Sequence, residues 1–163
     1  MKKIFYFLSL LFIITSCTED VKFNNPAFQT LKDNVFWRAI TYKAQLVTNG
    51  NMIIEGNLGY EKVILQIPSA MVKTYVLGLD NVTKASYSNT FPGQLAEFST
   101  GQNKGTGQVV VTEFNTETNT ISGTFKFTAI NKDETDTENP KVTFTEGVFY
   151  KVPVELTSNF VAY

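Results

Sequence analysis

The sequence predicts an all-β protein, an antiparallel β-sandwich or flattened barrel of about eight to nine strands. After residue 34, short runs rich in Val, Ile, Phe, Tyr and Thr alternate with Gly, Asn and Asp, which is typical of strands joined by turns. Period-two alternation is clearest in 121–129, where apolar residues and glycine occupy every second position. Only 69–73 and a capped turn at 25–28 suggest a helix. The sheet must therefore close on itself or stack to bury its apolar face.

The predicted strands follow one another closely. They are 36–47, bent near Thr41, and then 52–57, 62–67, 73–78, 84–88, 95–99, 107–114, 120–130 and 141–152. Phe36 and Trp37 are consecutive, so they face opposite sides of the first strand. Because Trp37 shares its register with Val35 and Ala39, we expect Trp37 in the core and Phe36 outside it.

Residues 1–16 have the features of a secretory signal peptide. Lys2 and Lys3 precede an apolar run over 4–14 that is too short to cross a hydrocarbon core of about 30 Å. The following Ile14-Thr15-Ser16-Cys17 resembles the lipobox of bacterial lipoproteins, and Cys17 is the only cysteine. We expect Cys17 to be lipidated, 17–34 to form a tether and 35–163 to form a single β-domain. The alternative is an ordinary signal peptide that a cysteine happens to follow.

Glu19 and Asp20 follow the expected lipidation site directly. This acidic pair resembles the export signal of Bacteroidota lipoproteins, which implies an outer-membrane protein anchored at the cell surface. The alternative for the acidic pair is that it is only the solvated start of the tether. The alternative location is the periplasmic face of the membrane. In either location the expected membrane contact is the acyl anchor, since one chain binds weakly but two or more bind stably.

The composition excludes several classes of protein. The chain has 14 Lys and Arg against 15 Asp and Glu, which offers no basic footprint for a nucleic acid. It has no His, so it can form neither a Ser-His-Asp triad nor an imidazole metal site. We expect no cofactor and no catalytic residues of these types.

Carboxylates are the remaining source of chemistry. Asp133, Glu134, Asp136 and Glu138 in the polar loop 131–140 could hold Ca²⁺, but the loop lacks the glycine and closing Glu of an EF-hand, and we predict no metal site. A glycosidase needs two acids facing each other across a cleft. The strand residues Glu55, Glu97, Glu113 and Glu146 are the candidates for such a pair.

Tyrosines and in-strand glycines are further candidates. Tyr42, Tyr60, Tyr75 and Tyr87 suit either the core or the rim of a binding site. Gly123 and Gly147 lie within predicted strands, where a missing side chain indicates a bulge, a bend or close packing under an aromatic ring.

Three segments carry a resemblance to a known family. Residues 34–39, 121–129 and 145–149 are similar to a family of uncharacterised flavobacterial (Bacteroidota) lipoproteins, a domain of unknown function. The resemblance implies an envelope location and a β-fold but no site residues. We therefore expect a non-enzymatic cell-envelope lipoprotein, an accessory or ligand-binding module whose protein or glycan partner is unidentified. The alternative is a carboxylate-based enzyme acting on glycans or peptides.

Overall fold

The computed structural model describes residues 25, 27–47 and 50–156. The expected signal peptide, the lipidation site Cys17 and the acidic pair Glu19 and Asp20 lie outside the described residues. The part of the chain that is described contains no helix long and apolar enough to cross a membrane.

Eleven strands make up the described part of the protein. In chain order they are β1 Ala27–Lys32, β2 Val35–Arg38, β3 Thr41–Leu46, β4 Met52–Leu58, β5 Glu61–Ile67, β6 Thr74–Leu77, β7 Lys84–Asn89, β8 Ala96–Ser99, β9 Thr106–Asn115, β10 Thr120–Asn131 and β11 Lys141–Leu156. The all-β prediction is confirmed. The strand count is higher than expected, because the predicted strand 36–47 is two strands, β2 and β3, and because β1 lies in the expected tether.

The strands form one sheet that closes on itself. Its order is β2-β1-β11-β3-β4-β5-β7-β8-β10-β9-β6, and β10 also pairs with β11. Seven strands from β11 through β3, β4, β5, β7 and β8 to β10 therefore form a ring, with β1–β2 and β9–β6 extending from it. All pairs are antiparallel except β3 with the end of β11, where Val154 lies opposite Ala44. The prediction that all strands pair antiparallel is therefore wrong for β3 and β11 alone among the described strands.

The strand β1 lies where the sequence predicted a capped helical turn and the end of the tether. Ala27 and Phe28 lie in β1, opposite Tyr150 and Phe149, and not in a capped helical turn. Phe28 is fully buried, and its ring lies 2.7 Å from where a Cβ on Gly56 would be. The gain from burying this ring outweighs a local cap, so the domain begins before Val35. Residues 69–73 are also not helical.

Seven aromatic rings form a continuous row through the core. In order of contact they are Trp37, Phe28, Phe125, Phe127, Phe144, Tyr87 and Phe98, with neighbouring ring centroids 4.6 to 6.1 Å apart. Trp37 is 2% exposed and Phe36 is 63% exposed, which confirms the predicted register of β2. The row links β2 at one end to β7 and β8 at the other.

Two bulges bend the long strand β11. Glu146 and Lys151 have φ angles of 53° and 49°, and the register of β11 shifts at both places. The bends let one edge of β11 pair first with β1 and then with β3. The predictions for the two in-strand glycines are confirmed, since Gly123 lies against Phe149 and Gly147 lies under the ring of Phe125.

Candidate ligand cleft

A half-buried carboxylate, Glu61, lies at the start of β5, where side chains of β1, β2 and β7 reach it. Its Oε1 accepts hydrogen bonds from the ammonium of Lys32 and the hydroxyl of Tyr87. Its Oε2 accepts a hydrogen bond of 3.0 Å from Nε1 of Trp37. Lys32 also donates to the Tyr87 oxygen at 3.0 Å. We call Lys32, Trp37, Glu61 and Tyr87 the Glu61 cluster.

The electrostatics of the cluster hold Glu61 in its charged form. Burial raises the pKa of Glu61, but the hydrogen bonds from Lys32, Tyr87 and Trp37 and the charge of Lys32 together bring it below its ordinary value. Burial and the hydrogen bond to Glu61 raise the pKa of Tyr87 well above its ordinary value. At neutral pH the cluster is therefore a carboxylate held by an ammonium, a phenol and an indole.

An open cleft of about 470 Å³ adjoins this cluster. We call it the Lys32 cleft; its lining residues are Lys32, Asp33, Tyr87, Asn89, Gly93, Gln94, Leu95, Ala96, Phe98, Asp136, Asn139, Lys141 and Val142. Glu61 does not line the cleft, but it fixes the two lining groups Lys32 and Tyr87 from behind. Both lining groups are therefore pre-positioned, which is what a binding site requires.

The chemistry of the lining suits a polar ligand of low net charge. The charged residues of the lining are Lys32, Lys141, Asp33 and Asp136. Because Lys32 is also paired with Glu61, the Lys32 cleft has no excess of positive charge to attract an anionic ligand. Asn89, Gln94 and Asn139 add amides, each of which both donates and accepts hydrogen bonds. The volume lies within the range of about 300 to 1,000 Å³ that is common for ligand sites.

The acidic loop 131–140 forms one wall of the cleft. The Asp136 carboxylate accepts hydrogen bonds from the backbone N–H of Asn139 at 3.0 Å and from Nδ2 of Asn131 at 3.2 Å. Asn131 is buried and also donates to the Asn139 carbonyl at 2.9 Å. Asp133 accepts from the backbone and hydroxyl of Thr135. Within residues 25, 27–47 and 50–156, no group of three or more acidic, His or Cys side chains is arranged to hold a metal ion.

The four strand carboxylates named as candidates for a catalytic pair lie on four different strands. Glu55 pairs with Lys43 at 3.8 Å, and Glu97 pairs with Lys132 at 2.5 Å. Glu113 on β9 and Glu146 at the first bulge of β11 are exposed. None of the four lines the Lys32 cleft.

The four tyrosines separate into core and rim. Tyr75 is buried, and its hydroxyl donates to the carbonyls of Ser69 and Met71. Tyr87 is buried with its hydroxyl at the cleft. Tyr42 is half-buried. Tyr60 is 57% exposed and its ring packs edge-on against Phe91 at 5.2 Å.

Sequence reasoning did not find the Glu61 cluster. Glu61 lies just after a Gly59-Tyr60 turn, and Lys32 lay in the expected tether, so neither position carried a motif. The register of β2 was the one sequence signal that pointed to this cluster. It turns Trp37 inward, and a buried indole N–H needs a hydrogen-bond acceptor. Four strands separate β2 from β5 in the sheet, so only the three-dimensional fold identifies Glu61 as the acceptor.

Comparison with known proteins identifies the family. No curated protein and no solved structure gives a significant match. A family model described as a domain of unknown function (DUF6252) matches residues 24–153, which covers β1 through most of β11. The chain therefore belongs to the DUF6252 family, a domain of unknown function.

Proposed function

We propose that the chain is a non-enzymatic, lipid-anchored protein of the bacterial cell envelope that binds a small hydroxyl-rich ligand, such as a glycan fragment, in the Lys32 cleft. The observation that carries the ligand site is the pair Lys32 and Tyr87, which lines the cleft and is held in place by Glu61. Sugar hydroxyls both donate and accept hydrogen bonds, as the amides of the lining do. The lining has no excess of positive charge, because Lys32 is paired with Glu61, and this disfavours an anionic ligand.

The anchor rests on the sequence. The segment ending in Cys17 resembles a lipobox, and the flavobacterial lipoprotein resemblance supports the same location. Ten residue steps separate Cys17 from Ala27, so an extended tether would reach about 35 Å. β1 runs from Ala27, on the side of the proposed anchor, to Lys32 at the cleft. The proposed anchor and the Lys32 cleft therefore lie toward opposite ends of β1.

The alternative class, a carboxylate-based enzyme, gains no support from Glu61. A general acid needs a raised pKa, whereas Glu61 is ion-paired with Lys32 and its pKa is lowered. The binding role is therefore the proposal that the geometry favours.

Membrane fractionation tests the anchor. Cys17→Ala should move the protein from the membrane pellet to the soluble fraction, because the acyl chains carry the proposed membrane association. Retention of the variant in the pellet with its signal peptide removed would contradict the proposal. Proteinase K on intact cells should degrade the wild type, whereas the Glu19→Ala/Asp20→Ala variant should be protected. Equal protection of both would indicate a periplasmic domain.

A glycan array probed with the full chain tests the ligand class. Gln94→Ala and Lys141→Ala should each weaken binding to any glycan retained by the wild type, because both side chains line the cleft. Lys126→Ala is the matched control, since Lys126 is exposed on β10 away from the cleft. Binding that all three variants retain would place the ligand elsewhere, and no binding to any glycan would reject the ligand class.

A further inference from the structure

The open edge of β2 and the surface beside it form a second candidate site, independent of the Lys32 cleft. β2 is the last strand at one end of the sheet. Two of its side chains, Val35 and Phe36, are 66% and 63% exposed, and Ile40 just beyond it is 73% exposed. Exposed apolar side chains on an unpaired strand edge are a template for pairing with another chain.

The hairpin geometry defines which backbone groups face outward from β2. Asp33 and Asn34 both have positive φ, of 48° and 66°, which makes a two-residue type I′ turn between Lys32 and Val35. Lys32 and Val35 are then a hydrogen-bonded pair, and so is every second pair after them. The bond from the Ala39 N–H to the Phe28 carbonyl fits this alternation. The N–H and C=O of Phe36 and Arg38 therefore point to the open edge.

The side chains of the same two residues face the outer surface. Phe36 lies opposite Leu31 and Arg38 lies opposite Gln29 in the β1–β2 register. Arg38 and Gln29 also line a groove of about 570 Å³ with Asn25, Ala27, Val148 and Tyr150. We call it the Arg38 groove. Its lining contains one guanidinium and no carboxylate, and Arg38 forms no ion pair with any residue in the described ranges.

We propose that the β2 edge binds an extended acidic segment of a protein partner, which adds as a further strand and places a carboxylate on Arg38. Main-chain hydrogen bonds to Phe36 and Arg38 would provide the pairing, and their side chains would provide the selectivity. Side chains of an added strand share a face at every second position. The partner segment should therefore carry an apolar residue opposite Phe36 and an Asp or Glu two positions away, opposite Arg38. A guanidinium binds a carboxylate through two parallel hydrogen bonds, so an acidic residue is the best match.

A positional-scanning library of capped heptapeptides, probed with the full chain, tests this proposal. We expect enrichment of Asp or Glu two positions from an aromatic or branched aliphatic residue. Arg38→Glu should weaken binding of the enriched peptide by about 10- to 100-fold. The same variant should shift the library preference at that position to Lys or Arg. Lys126→Glu, on the outer face of the same sheet, is the matched charge-reversal control and should change neither result.

A second pair of variants tests the pairing mode. Proline at position 36 removes an N–H that the β1–β2 hairpin does not use, so Phe36→Pro should keep the fold but block strand addition. Phe36→Ala should weaken binding less, because it keeps that N–H. An acidic preference that persists in Arg38→Glu, the absence of any acidic preference, or equal binding by Phe36→Pro and Phe36→Ala would each overturn the proposal.

Discussion

The indole Nε1 of Trp37 donates a hydrogen bond to Oε2 of Glu61 across 3.0 Å and so ties the edge strand β2 to the start of β5. The ring of Trp37 packs edge-on against Phe28 at a centroid distance of 6.0 Å. Trp37 therefore connects the aromatic row of the core to the polar cluster behind the Lys32 cleft. A change at this residue should affect both packing and polar contacts.

Replacement of Trp37 should separate its two contributions. Trp37→Ala should lower the free energy of unfolding by about 3 to 5 kcal/mol, because it removes a buried aromatic side chain and leaves a cavity. Trp37→Phe keeps part of the packing and loses the bond to Glu61, so its cost should be about 1 to 2 kcal/mol. Denaturant titration of both variants measures the difference.

Fluorescence provides an independent measurement, because Trp37 is the only tryptophan. Its emission should be blue-shifted and poorly quenched by iodide, since the side chain is 2% exposed. A red-shifted, readily quenched emission with no loss of stability in Trp37→Ala would contradict the core position.

The lowered pKa of Glu61 predicts how stability depends on pH. In the folded state the carboxyl ionises below its ordinary value of 4.5, so its contribution to stability is present above that pH. The contribution is lost as the pH falls through the folded pKa. Glu61→Gln should therefore be less stable than the wild type at pH 7, by about 1 to 3 kcal/mol, and should lose less on acidification. The difference in Tm between the wild type and Glu61→Gln should therefore shrink as the pH is lowered from 7 to 3.

Glu117→Gln is the control for this experiment, because Glu117 is exposed in the turn between β9 and β10. It should follow the wild-type curve. If Glu61→Gln also remained parallel to the wild type, the ion pair with Lys32 would not contribute to the acid sensitivity of the fold.

Local pattern was sufficient to predict most strands, but not the partners that long-range pairing brings together. The alternation of β10 and the inward position of Trp37 follow from side-chain period alone, and both agree with the structure. β1 was not predicted, because Asn25 and Pro26 have strong local preferences for a capped turn. The Glu61 cluster joins residues 24 to 55 positions apart, and no local rule specifies such contacts.

Loop 131–140 should depend on Asp136 but not on Glu134. Asp136→Ala removes the acceptor for Asn131 and for the Asn139 backbone N–H, and Asn131 is buried. We expect a loss of about 1 to 2 kcal/mol and altered ligand binding in the Lys32 cleft. Glu134→Ala, which changes an exposed residue of the same loop, should change neither quantity.

Added calcium should leave the Tm of the wild type, Asp136→Ala and Glu134→Ala unchanged. A calcium-dependent rise in the Tm of the wild type would indicate a metal site in the loop.

The close approach of Gly123 to its neighbours gives the last prediction. A Cβ at this position would lie 2.1 Å from the backbone oxygen of Val110 on β9 and 2.4 Å from Cζ of Phe149 on β11. Gly123→Ala must therefore displace a strand as well as a ring, and we expect a cost of about 3 kcal/mol or more. Gly93→Ala is the control: a Cβ there would contact nothing within 4 Å, and only its φ of +86° opposes the change. It should cost about 1 to 2 kcal/mol.

A double variant separates the two obstacles to Gly123→Ala. Phe149→Leu removes the ring but leaves the Val110 oxygen in place, because that atom belongs to the backbone. The cost of Gly123→Ala should therefore be smaller in the Phe149→Leu background than in the wild type, but it should still exceed the cost of Gly93→Ala. Full recovery would mean that the ring alone excludes a side chain at Gly123. If Gly123→Ala in the wild-type background cost no more than Gly93→Ala, the close packing of β9, β10 and β11 around Gly123 would be contradicted.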